Sequence, residues 1–252
     1  MGAIAAVKIY LAGVYSRPHL IETHKPLFVL ESYHYAKDNL PFVDEVIKHK
    51  TDFLLDSGAF SYFGGGSTNW ETYVDDYVDF IIKYNIEKFI ELDLYAIIGV
   101  EATERLRTRI ETKTGKQTIP VFHKRLGVDY YKMLCNDYEY IAISASGMYE
   151  SRWTRQEPER LKKMVIYAKQ KGVKVHGLGY TKVDMLKEIP FYSVDSTSWL
   201  SGSRFANIYH FTGTGVKQYN KPSGHKMKSY KIIDNNNFAE WIKFQKYAYA
   251  NL

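Results

Sequence analysis

The chain has 252 residues, 45% of them hydrophobic and 25% charged, with a mean hydropathy of -0.35. That is the arithmetic of one soluble globular domain, with chain enough for a sizeable core. No stretch approaches the ~20 uninterrupted apolar residues of a membrane span, and the opening MGAIAAVKIYLAGV lacks a basic leader, so a cytoplasmic, unprocessed protein with no membrane partner is expected. The single cysteine, Cys135, excludes an intramolecular disulfide and a cysteine-cluster zinc site. Lys and Arg number 34 against 28 Asp and Glu, a net charge of +6 that favours polyanionic partners without naming one.

In chain order, apolar runs of strand length fall at 7–14, 27–33, 53–57, 88–94, 118–123, 140–144, 173–179 and 191–196. Amphipathic helical patterns lie between them at 74–85, 100–113, 129–137 and 158–172, the last closing on Gly172. Strand alternating with helix through eight runs predicts a single-domain (β/α)8 TIM barrel over residues 1–252. The first connection is short and irregular, with no clear helix between Ser16 and Lys25.

The chain closes differently. Residues 213–231 hold five lysines and no acid, and 238–250 reads as an amphipathic terminal helix. Residues 213–252 are therefore expected to be a basic loop and a helix closing the barrel. The basic run is either a solvated surface or a phosphate-contacting strip built on Lys217, Lys221, Lys226 and Lys228. Arg125, Arg152, Arg155 and Arg204 are further candidate phosphate contacts.

A barrel places its chemistry at the carboxyl ends of its strands, so the polar residues that end the apolar runs carry the functional information. Asp56, Asp93 and Asp195 each end such a run. A single acid there would be an ordinary helix cap, whereas three at equivalent positions converge on one cleft, since burying an unpaired carboxylate is costly. The loop after Asp56 begins with Ser57 and Gly58, places Phe60 where it can cover a flat ligand, and continues into Gly64 to Gly66. Gly177, Leu178 and Gly179 end the seventh run and expose backbone groups, or else pack tightly; His123 ends the fifth.

The DSGAF segment at 56–60, Asp93, the HGLG turn at 176–179 and Asp195, in this order, resemble the tRNA-guanine transglycosylase (queuine tRNA-ribosyltransferase) superfamily. KIYLAG at 8–13, LESY at 30–33 and LLDSGAFS at 54–61 look more closely like its small phage-encoded members, which are associated with DNA modification. The resemblance implies exchange of guanine for a 7-deazaguanine, such as 7-cyano-7-deazaguanine, through a covalent aspartyl-glycosyl intermediate and without a cofactor. It implies Asp195 as nucleophile and Asp56 as general acid/base. Asp93 would read the guanine N1–H and amine, Phe60 would stack on the purine beside Ser57 and Gly58, and the 177–179 backbone would meet its carbonyl edge. Related enzymes often dimerise, so a homodimer is a further expectation.

Three departures bear on the substrate. The family's glutamine near the end of the fifth strand is His123 here, its second motif glycine is Ala59, and the zinc cysteines of the tRNA enzymes are missing. DNA is thus the expected partner, with tRNA, or an N-glycosidase reaction on a nucleoside or nucleic acid, as the alternatives.

Overall fold

The computed structural model describes residues 6–62, 68–144, 153–180, 183–220 and 229–252. The first half of the chain runs β1 (Lys8–Ala12), α1 (His19–His24), β2 (Phe28–Ser32), α2 (Tyr33–Ala36), α3 (Leu40–Lys48), β3 (Asp52–Asp56), α4 (Trp70–Lys83), α5 (Tyr95–Ile98) and α6 (Val100–Thr114). It continues with β4 (Val121–Phe122), α7 (Gly127–Asp137), β5 (Tyr140–Ser144), α8 (Trp153–Gln156), α9 (Pro158–Gln170), β6 (Lys174–Leu178), β7 (Ser193–Ser196) and α10 (Ser201–Phe205). The hairpin β8 (Ile208–Phe211) and β9 (Val216–Tyr219) and the long helix α11 (Tyr230–Asn251) end it. Among the described residues no helix is long and apolar enough to cross a membrane.

Seven strands form one parallel sheet in the order β3-β2-β1-β7-β6-β5-β4. The sheet curls, and the two edge strands approach one segment between them. Leu55 bridges Phe89 and Ile90 bridges Ile119, both in the parallel sense. The Ile90 N–H donates to the Leu55 carbonyl at 2.9 Å and the Ile119 N–H to the Phe89 carbonyl at 2.9 Å. The result is a barrel-like α/β fold in which the run at 88–94, expected as a full strand, contributes isolated bridges. One cause is local: the Val121 N–H donates to the Glu91 carboxylate at 2.6 Å, where a regular ladder would use a backbone carbonyl.

Side chains of alternate parity fill the inside of the curl. Tyr10, Ala12, Phe28, Leu30, Leu54, Ile90, Ile119, Val121 and Ala142 make one buried cluster drawn from strands all round the sheet. The opposite parity packs outward under the helices in the larger core, with Ile9, Leu11, Val29 and Leu55 among its members. The amino-terminal end of the interior is polar but paired. Asp52 accepts from Lys8 at 3.0 Å and Lys88 at 2.5 Å, and from the Tyr10 hydroxyl at 2.9 Å. Stepping two and four residues along β3 from Asp52 leads through Leu54 to Asp56, which brings Asp56 to the carboxyl end on the same face.

The closing segment departs from expectation in two ways. Part of the run expected to be a basic loop is the strand β9, paired antiparallel with β8 just before that run, and the terminal helix begins at Tyr230 rather than 238. That helix has little amphipathic bias because its buried face carries polar residues that serve the barrel's backbone. Gln245, fully buried, donates to the carbonyls of Ile9 and Phe28 and accepts from the Leu27 N–H, each at 2.7 Å. Asn237 likewise accepts from the Tyr209 N–H at 2.9 Å and donates to the Trp199 and Asn207 carbonyls.

Candidate active site

Asp195 sits at the carboxyl end of β7, buried, with its backbone opposite Tyr10 of β1. Its Oδ1 accepts the Gly179 N–H at 2.6 Å and lies 3.3 Å from His176 Nε2. His176 Nδ1 is 2.6 Å from Ser193 Oγ, and that hydroxyl is 2.5 Å from the Tyr140 hydroxyl. With Tyr140 donating to Ser193 and Ser193 donating to Nδ1, the imidazole would carry its proton on Nε2, which lies near Asp195 but makes no hydrogen bond to it. A buried polar chain from β5 through β6 and β7 thus ends beside the carboxylate oxygen that the Gly179 N–H holds. Among the described residues Oδ2 accepts no hydrogen bond.

Asp56 ends β3 half-buried, and its Oδ2 accepts the Gly58 N–H at 3.2 Å. Burial pushes its carboxyl up to about 7; the Gly58 amide pulls the other way, and the charges of Asp195 and Asp93 add to the rise. The three aspartates therefore occupy one electrostatic neighbourhood. Glu31 of β2 joins them. It is buried, accepts the N–H groups of Tyr15 and Ser32 at 3.0 Å each, and is raised to about 7, chiefly by burial with Asp56 contributing.

Asp93 follows the bridged segment. Its Oδ1 is 2.7 Å from Nε2 of the buried His123, whose ring lies 4.1 Å from that of Tyr95, centroid to centroid. His123 therefore reaches the site as the partner of Asp93. Nearby, Glu91 is buried against Arg107 at 3.3 Å, and its carboxyl too is pushed up to about 7, burial outweighing the guanidinium.

The loops are positioned by close packing. Gly58 has φ of +73°, and a Cβ there would stand 2.4 Å from Ser32 Oγ, so the turn after β3 admits no side chain. Ser57 is buried with its carbonyl accepting from Tyr73 at 2.6 Å, while Phe60 is 55% exposed at the rim. The 177–179 turn corrects one expectation. The Gly179 N–H, expected to face the base, is taken by Asp195. Gly177 is laddered within the sheet, and a Cβ on it would press on Tyr180 and Phe191 at 3.0–3.1 Å. Leu178 packs on the interior cluster. This turn supports the carboxylate.

A cavity of about 420 Å³ opens beside Asp195, lined also by Glu31, Tyr15, Arg17, Tyr35 and Arg204. Of the proposed phosphate contacts, Arg204 therefore lies with the site, while Lys217 is on β9 and does not line that cavity. Lys221, Lys226, Lys228, Arg152 and Gly64 to Gly66 lie outside the described residues, as does the Arg155 side chain.

No protein-family model matches the chain, and no curated protein sequence does. Solved structures resemble its fold. One described as native KDPGal superposes with a TM-score of 0.51, covering 98% of this chain and 97% of that one at 9% identity. The carboxyl transferase domain from Rhizobium etli pyruvate carboxylase gives 0.50, covering 98% of this chain but 48% of that one, at 14% identity. At such identities the likeness extends to the barrel-like fold and carries no chemistry across.

The geometry adds residues that reasoning from the three aspartates passed over. Glu31 stands one position before the end of β2 and is a glutamate, so counting terminal aspartates missed it. His176 was legible only as the residue before a glycine turn. Arg17 lies in the irregular first connection, where no periodicity marks a side chain's direction.

Proposed function

We propose that the protein is a guanine transglycosylase that replaces guanine in DNA with a 7-deazaguanine base through a covalent Asp195-glycosyl intermediate. The observation that carries this reading is the placement of Asp56 and Asp195 at the carboxyl ends of β3 and β7 in one curled sheet, with Asp93 just past the segment bridged between β3 and β4. The resemblance of DSGAF and of the ordered aspartates to the transglycosylase superfamily supports it. We read the Phe89–Ile90 segment as the eighth stave of a closed (β/α)8 barrel, standing between β3 and β4.

In this mechanism Asp195 Oδ2 attacks C1′, the C1′–N9 bond breaks, and the protonated Asp56 gives its proton to the departing guanine. An Asp56 carboxyl titrating near 7 is matched to that task. In the second half the incoming base loses its N9 proton to Asp56 and attacks C1′, and the Asp195 ester bond breaks. Two inversions retain the configuration of the sugar. Asp93, with one oxygen on His123, offers the other to the N1–H and exocyclic amine of guanine. The reacting nucleotide must leave the stack, since neither step fits inside a duplex.

The test is base exchange: guanine-labelled DNA, with tRNA in parallel, is incubated with 7-cyano-7-deazaguanine and the wild-type or Asp195→Asn protein. Label release with analogue incorporation into DNA, lost in the variant, supports the reading. Release without incorporation makes the enzyme a glycosidase, and incorporation into tRNA alone changes the substrate.

A further inference from the structure

We propose that the cavity beside Asp195 is a binding subsite for the phosphate ester of the nucleoside whose sugar faces that carboxylate, with Arg17 and Arg204 as its cationic ligands. The placement of the sugar rests on the base-exchange reading; the anion site rests on the cavity itself. Its volume of about 420 Å³ falls within the roughly 300–1,000 Å³ of small-ligand sites.

Arg17 is built into the wall. Its Nη2 is 2.7 Å from a carboxylate oxygen of Asp234, a side chain only 3% exposed, and its guanidinium lies 5.7 Å from the Trp199 ring centroid. Its Nη1 donates to Ser16 Oγ at 2.9 Å. A guanidinium carries five N–H donors in a fixed fork, so a pre-oriented edge is left for an anion. Arg204, on α10 just beyond the nucleophile strand, is exposed and makes no ion pair among the described residues. Both arginines line the cavity together with Tyr15. Tyr15 is stacked on Tyr35 with ring centroids 4.5 Å apart and planes within 4°, a rigid aromatic wall.

The opposite polarity completes the logic. Glu31 and Asp195 line the same cavity, so a ligand there needs an anionic end for the arginines and a neutral, electrophilic end for the carboxylates. A nucleoside phosphate ester has both. A second cavity, of about 430 Å³, carries Lys8, Lys169 and Lys174 at the amino-terminal end of the sheet and is the competing anion site.

The experiment compares deoxyguanosine, its 5′-monophosphate and a single-stranded pentanucleotide with a central guanosine by calorimetry at low salt. The wild-type protein is expected to bind one of the phosphate forms at least about 10-fold more tightly than the nucleoside. Arg204→Gln is expected to reduce that advantage to within about 3-fold. Arg17→Lys, chosen because it keeps a cation on the buried Asp234, is expected to reduce it by about half on the logarithmic scale. An advantage largest for the monophosphate makes the ligand a free nucleotide; one largest for the pentanucleotide makes it a strand. An absent advantage, one that survives both variants, or one abolished instead by Lys174→Gln overturns the proposal. If base exchange fails while the arginine-dependent advantage holds, transglycosylation falls and the phosphate subsite stands; active exchange with no such advantage gives the reverse.

Discussion

His176 Nε2 stands 3.3 Å from Asp195 Oδ1 on a ring wholly closed to solvent. With Ser193 and Tyr140 behind it, this histidine packs against the carboxylate and is closed off from any substrate. His176→Ala is expected to slow single-turnover glycosyl transfer about 100-fold with little change in substrate KM, because misplacing a reacting group by about 1 Å has that effect. His176→Gln, which keeps a polar side chain beside Asp195, is expected to recover part of the rate. Equal losses in both variants, or a loss confined to KM, would assign His176 to folding alone.

Asp56 links activity to pH. Its carboxyl titrates near 7, so formation of the glycosyl-enzyme, which needs the protonated acid, is expected to decline as pH rises through about 7. Asp56→Asn is expected to remove both the activity and that profile. A rapid-quench pH series on the wild type checks it.

The same group sets a stability trend. Its folded pKa lies above the unfolded value of 3.8, so the folded state holds the proton more tightly. That contribution is complete below about 4 and is lost as pH rises toward about 7. Asp56→Asn is therefore expected to raise Tm at pH 8 and leave it nearly unchanged at pH 4. After a discount for partial solvent exposure the gain is roughly 2 kcal/mol, or about 4–8 °C. Thermal melts at the two pH values decide the sign.

Much of this arrangement could be read directly from the residues. The apolar runs located the strands because most of their buried positions are apolar, and Asp56, Asp93 and Asp195 stood out as the acids that end them. The fourth run, at 88–94, was harder, since Glu91 diverts the Val121 N–H from the ladder and only tertiary structure reveals that. The hairpin was hidden because β9 is exposed along nearly its whole length, where alternation carries no burial signal. The helix α3 carries a helical spacing in its buried Phe42, Val43 and Val46 that a reading for strands overlooks, whereas the single turn of α2 and the place of His176 depend on tertiary contacts that sequence spacing does not encode.

Gln245 tests how the closing helix is fastened. Its three buried hydrogen bonds join α11 to β1 and to the entry of β2. Gln245→Leu leaves one N–H and two carbonyls without that partner and is expected to destabilise the fold by about 3 kcal/mol, or roughly 6–12 °C in Tm. A loss below about 1 kcal/mol would mean that the strands satisfy those groups by rearrangement.

The most direct test is to look for the intermediate itself. Wild-type protein mixed with guanine-containing DNA, without an incoming base, is quenched in acid, digested and analysed by mass spectrometry. A glycosyl ester is expected on the peptide carrying Asp195, absent from Asp195→Asn and discharged when a 7-deazaguanine is added before the quench. Guanine release with no adduct at Asp195, or an adduct on a different carboxylate, would contradict it.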